Sequence, residues 1–124
     1  MTSPSAREAR LRELRPFVAA ARQMQGWTFA YSPVALDAPE PWSYEALAGE
    51  LASAAHRVVD LGTGGGEVYA RILAGRQCLA IASEDWGRNA LVAARCLGPL
   101  GVPVVRALSL ELPFAAASFD LVLD

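Results

Sequence analysis

The spacing of apolar positions changes near residue 56. Before that point Leu11, Leu14, Val18, Ala21 and Met24 recur three or four residues apart, with Arg and Glu between them. This is the spacing of one helix face, so residues 1–25 read as a helix. Ser5 is placed to cap it, Pro16 is expected to kink or divide it, and Gly26 to end it. Residues 27–42 carry Pro33, Pro39 and Pro41 among aromatics and read as an irregular linker. Ser43 then suits the N-cap of a helix over roughly 44–54, with Leu47 and Leu51 expected to face inward.

Beyond residue 56, short β-branched runs alternate with helical stretches. Strands are predicted over 57–61, 77–83, 102–107 and 119–123. Helices are predicted over 67–73, ended by Gly75, and 89–97, ended by Gly98-Pro99. Such alternation predicts an α/β fold, a doubly wound parallel sheet with right-handed crossovers. The chain accordingly divides into an N-terminal helical segment and linker, 1–43, and a ligand-binding unit, 44–124.

Composition narrows the function classes. The 124 residues amount to one domain, and an apolar fraction of 53% supplies its core. Net charge is −2, the pI is near 5.4, and all basic side chains are Arg, with no Lys. There is no nucleic-acid signature and no basic face for an anionic membrane. Cys78 and Cys96 lack the spacing of a metal site or disulfide framework and read as reduced thiols. With a charged N-terminus and no apolar run of membrane-spanning length, the expected location is cytoplasmic.

Chemistry concentrates in RVVDLGTGGGEV, residues 57–68. Gly62, Gly64, Gly65 and Gly66 fall in the turn between the first strand and its helix, the ligand-binding end of an open α/β sheet. A plain strand–helix turn needs one glycine at most; several allow positive φ and close approach of the backbone to a ligand. A Walker loop requires a Lys, which the chain lacks. A dinucleotide G-x-G-x-x-G counted from Gly62 puts Glu67 at the third glycine, a negative charge where a pyrophosphate would sit. The pattern that fits is D-x-G-x-G-x-G, on Asp60, Gly62, Gly64 and Gly66, with Thr63 inside it.

This pattern resembles motif I of the class I S-adenosylmethionine-dependent methyltransferases, including the type 11-like group with a Rossmann-like fold. Two later segments extend the resemblance. Glu84 closes CLAIASE, 22 residues after Gly62, and LELPFAAASFDLVLD is similar to the family's LPF-x-x-x-SFD segment before the fourth strand. PWSYEALAGEL, ahead of the loop, is also similar to a bacterial subgroup of these proteins. The resemblance covers roughly residues 42–124.

The resemblance implies S-adenosylmethionine as cofactor and methyl transfer to an unidentified acceptor, a small molecule being favoured. Gly62, Gly64 and Gly66 would let the backbone pack against the methionine portion and ribose. Asp60 would order the loop and reach the methionine amino group through water, while Glu84 would accept from both ribose hydroxyls. The family's adenine-binding acid lies four residues before the Leu of LPF, where this chain has Leu108. Leucine can pack on the ring but cannot accept from the amino group; backbone near Ser109 would substitute. Transfer in this family is a direct in-line displacement driven by positioning and exclusion of water, so no catalytic side chain is assigned.

The family's sheet has seven strands in the order 3-2-1-4-5-7-6, of which this sequence supplies 3-2-1-4. The expectation is a cofactor-binding half, truncated after the fourth strand, with a possible homodimer through that strand's exposed edge. Two rival functions stay open: a catalytically inactive binding or interaction module, and a nicotinamide-type oxidoreductase. Trp27, Phe29, Trp42 and Tyr44 either pin the N-terminal helix or roof the cofactor. Trp86 either stacks beside the adenine or covers the sheet edge. His56 lies at the wrong end of the first strand for ligand chemistry, and Glu67 suits the helix dipole.

Overall fold

The structure, a computed structural model, describes residues 5–24 and 38–124. The expectations for Gly26, Trp27, Phe29 and Pro33 fall outside these residues. Helix α1 runs from Ala6 to Ala21. Ser5 caps it with a complete capping box: its hydroxyl accepts from Glu8 N, and the Glu8 carboxylate accepts from Ser5 N at 2.7 Å. The helix continues through Pro16 and is not divided there. Ser43 caps α2, Tyr44–Ala54, accepting from Ala46 N as the sequence predicts.

A parallel four-stranded sheet follows. It comprises β1 (Arg57–Asp60), β2 (Leu79–Glu84), β3 (Val104–Arg106) and β4 (Leu121–Leu123), in the order β3-β2-β1-β4. Helix α3 (Glu67–Leu73) joins β1 to β2, and α4 (Gly87–Leu97) joins β2 to β3, ending in a short 3-10 turn at Gly98–Leu100. Observed strands are shorter than predicted, because only the ladder-forming residues of each apolar run count as strand. The sequence-predicted topology is otherwise the observed one.

Register decides which side is core. Asp60 pairs with Ala82 and Leu123, and Val58 with Ala80 and Leu121, so these side chains share one face. Against that face pack Ala48 and Ala52 of α2, Tyr69, Ile72 and Leu73 of α3, and Ala93 and Leu97 of α4. All three helices lie in one layer. The opposite face presents Leu79, 73% exposed at the start of β2, and Val122, 55% exposed on β4.

The inward face of α2 is a correction. Leu47 and Leu51 are 53% and 50% exposed, whereas Ala48, Gly49 and Ala52 are buried. The reason is closeness. Arg76 lays its guanidinium over Gly49, where an added Cβ would meet Nη2 at 2.6 Å, and donates from Nε to the Gly49 carbonyl. Small side chains let α2 approach α3, and the Arg71–Glu45 pair, bidentate at 2.6 and 2.9 Å, ties the two helices together. Leucines on that side would hold the helices apart.

Between β3 and β4 the chain makes a knot of local contacts. Phe114 and Phe119 meet edge-to-face at 5.1 Å, and Ser118 Oγ donates to the Ala115 carbonyl. Asp120 then accepts from the backbone amides of Arg57 and His56 at 2.8 and 3.0 Å, fixing β4 beside the start of β1.

Candidate cofactor site

The carboxyl ends of β1 and β2 carry the two acids singled out by the sequence, and the glycine loop runs between them. Gly62, Gly64 and Gly66 all have positive φ, +65°, +63° and +82°. Thr63 N donates to the Ser83 carbonyl, so the loop is stitched to β2 halfway through its turn. Glu84 completes the stitching. Its Oε2 accepts from Gly64 N at 2.7 Å and its Oε1 from Trp86 N at 2.8 Å.

The three glycines serve different ends. A Cβ on Gly66 would come within 2.9 Å of Leu97 Cγ and 3.3 Å of Ala93 Cα, so this glycine lets α3 start against α4. Gly62 has open space where its Cβ would be, beside the cavity it helps to line. Sequence reading assigned all three to the ligand; packing alone accounts for Gly66.

A cavity of about 290 Å³ opens at this end of the sheet, lined by Tyr44, Asp60, Leu61, Gly62, Thr63, Val68 and Asp124. Burial pushes the Asp60 carboxyl up to about 6; the nearby Thr63 hydroxyl offsets part of that rise, and Asp124 and Glu84 add to it. Tyr44 is raised for the same reasons, burial first and then the charges of Asp60 and Asp124. Thr63 is itself buried, 4% exposed. No Arg or His lines the cavity, so its described wall is acidic at one end and apolar elsewhere.

Of the predicted residues, Asp60, Gly62 and Thr63 line this cavity. Gly64 and Glu84 bond to one another beside it, and Gly66 turns into the helix layer. Leu108 is 49% exposed and Ser109 is exposed, both just past the end of β3. Ala107 N bonds to the Glu84 carbonyl, which brings that segment alongside the second acid. Trp86 adjoins Glu84 and is 37% exposed, while Trp42 lies outside the cavity lining. His56 sits at the opposite end of β1, 3.6 Å from Asp120.

Asp124, Leu61 and Val68 were not singled out from the sequence. The signal for Asp124 was present, since it follows β4 as Asp60 closes β1, and both strands end at the same rim.

Comparison with solved structures places this arrangement. The chain matches YcgJ from Bacillus subtilis at 26% identity and a TM-score of 0.54, over 63% of this chain and 35% of that one. It matches cofactor-bound Rv0187 from MTB at 25% identity and a TM-score of 0.55, over 98% of this chain and 61% of that one. A SAM-dependent methyltransferase from Thiobacillus denitrificans, in complex with S-adenosyl-L-homocysteine, shares the fold at 20% identity and a TM-score of 0.51, over 67% of this chain and 36% of that one. The chain has the class I methyltransferase fold.

The methyltransferase fold explains why loop, acids and cavity share one rim of the sheet. This chain spans 35% to 61% of the length of those three methyltransferase-fold proteins. No protein-family model and no curated protein matches it. Among the described residues no helix is long and apolar enough to cross a membrane, and no cluster of His, Cys, Asp and Glu could hold a metal ion.

Proposed function

We propose that this chain binds S-adenosylmethionine and forms the cofactor-binding half of a methyltransferase. The observation that carries the reading is the acid-ended cavity at the glycine loop. Among the described residues its wall offers Asp60 and Asp124 carboxylates and no positive side chain, which suits a ligand that is cationic at that end. When bound, the cofactor supplies an electrophilic methyl group on a positively charged sulfur. Gly62 gives backbone access beside the cavity.

Glu84 has spent one lone pair on each oxygen, on Gly64 and Trp86, and a carboxylate offers roughly four acceptor sites. It can therefore hold the loop and accept from a ribose diol together. Leu108 and the backbone near Ser109 lie at the adenine end in this reading, and Tyr44 closes the methionine end. The chain's own contribution is to bind, orient and exclude water.

Calorimetric titration with S-adenosylmethionine, with NAD as control, tests this. Micromolar binding of S-adenosylmethionine alone is the expected result; binding of NAD alone would overturn it. The ionised Asp60 carboxylate favours a cationic ligand, so affinity should fall about tenfold between pH 7 and pH 5 as the group protonates near 6. Glu84→Gln keeps an acceptor for only one of the Gly64 and Trp86 amides, so it should weaken S-adenosylmethionine binding through the loop as well as through the ribose contact. One observation favours a second reading, a non-catalytic binding module of the same fold: Leu108 offers no side-chain acceptor. No heat from a protein shown to be folded would select that module.

A further inference from the structure

Two apolar ridges in this chain face solvent, and their charges are opposite. On α1, Leu11, Leu14, Phe17 and Val18 are 51%, 37%, 46% and 49% exposed, and no residue of the helix is buried. On α2, Leu47 and Leu51 form a second ridge, 53% and 50% exposed, on the side turned away from α3. Residues 5–24 carry five arginines against Glu8 and Glu13; residues 38–55 carry Glu40, Glu45 and Glu50 and no basic side chain.

We infer that the Leu47–Leu51 ridge of α2 is a docking surface for the chain's own basic amphipathic helix α1. Geometry permits it. Leu14–Val18 and Leu47–Leu51 are both i, i+4 ridges, the kind that interdigitate when helices cross near −50°. Arg15 and Arg22 flank the α1 ridge and Glu50 flanks the α2 ridge, so apolar contact and charge attraction reinforce each other. The 14 peptide steps from Met24 to Ala38 can span up to roughly 45 Å. Isolated helices shorter than roughly 12–15 residues are marginal in water, and the 16 residues of α1 barely exceed that, so α1 gains from a partner. The alternative of two α1 helices pairing with each other would bring together two segments that each carry five arginines against two glutamates.

The inference does not depend on the proposed cofactor, and neither does its test. Trypsin cuts only after Arg in this Lys-free chain, and α1 holds three cleavable sites, Arg7, Arg10 and Arg12, the Arg15–Pro16 bond being resistant. Cleavage at these sites, followed by mass spectrometry, should be at least tenfold slower in the unaltered protein than in Leu47→Glu/Leu51→Glu. The substituted side chains are exposed, so far-UV circular dichroism should show the fold retained. Leu14→Glu/Val18→Glu, made on the other ridge, should give the same acceleration, and 0.5 M salt should give part of it. Equal rates in all three proteins would overturn the inference, as would protection indifferent to Leu47 and Leu51. Protection that vanishes on dilution together with a dimeric mass would assign the surface to a second copy's α1 and overturn the intramolecular assignment.

Discussion

Gly62 and Gly66 differ by four positions and answer to different constraints. For Gly66→Ala the new Cβ meets Leu97 at 2.9 Å with φ at +82°, so strain and overpacking add to about 2–4 kcal/mol of lost stability. For Gly62→Ala only the positive φ is penalised, about 1 kcal/mol, but the methyl group sits beside the cavity. Urea denaturation should separate them: Gly66→Ala loses stability, Gly62→Ala mainly ligand affinity. Asp60 supplies a second residue-scale test. Its folded pKa, about 6, lies above the unfolded carboxylate value, so the native state holds the extra proton and stability falls as pH rises from about 4 to 6. The cost at pH 7 is on the order of 3 kcal/mol. Asp60→Asn should therefore raise the urea midpoint at pH 7.5, lose most of that gain near pH 4, and weaken cofactor binding. The loop was legible in the sequence from its glycine spacing, and Asp60 and Glu84 from the resemblance that the spacing supports. The split between Gly62 and Gly66 was not, because it depends on Leu97 and Ala93, roughly thirty residues away.

At the scale of elements, the LPF and SFD segments turn out to be architecture. Phe114 and Phe119 fold the connection on itself, Ser118 ties its turn, and Asp120 clamps the first amides of β1. Those amide bonds, Arg57 N first, hold the Asp120 carboxyl below its usual range. A depressed folded pKa means that this contribution is present above the unfolded pKa near 4 and is lost as pH falls through the folded value. Asp120→Asn should speed hydrogen exchange at the Arg57 and His56 amides at pH 7, and the difference from the unaltered protein should narrow toward pH 3. Helix boundaries were readable from Ser5, Ser43 and Gly75, whose local chemistry stops or starts a helix in any context. The orientation of α2 was not. Leu47 and Leu51 outweigh Ala48, Gly49 and Ala52 in any count of hydrophobicity, yet close approach to α3 and the Arg76 guanidinium selects the smaller residues.

For the whole molecule, alternation predicted a parallel sheet and the glycine loop its ligand rim, whereas the strand order 3-2-1-4 came from the family resemblance. Tyr44 and Asp124 converge on Asp60 from opposite ends of the described unit, a meeting that only the assembled sheet brings about.

The same strand order sets a timetable. β1 is central, but its partner β4 comes last, and Asp120 lies 63 residues beyond the Arg57 amide that it holds. At a synthesis rate of about 5–20 residues per second, β1 waits roughly 3–13 seconds with that edge open. During that interval Val58 and Val59, almost fully buried once folding is complete, border an unpaired ladder. An interior strand of this sheet thus spends that interval as an edge open to a wrong partner.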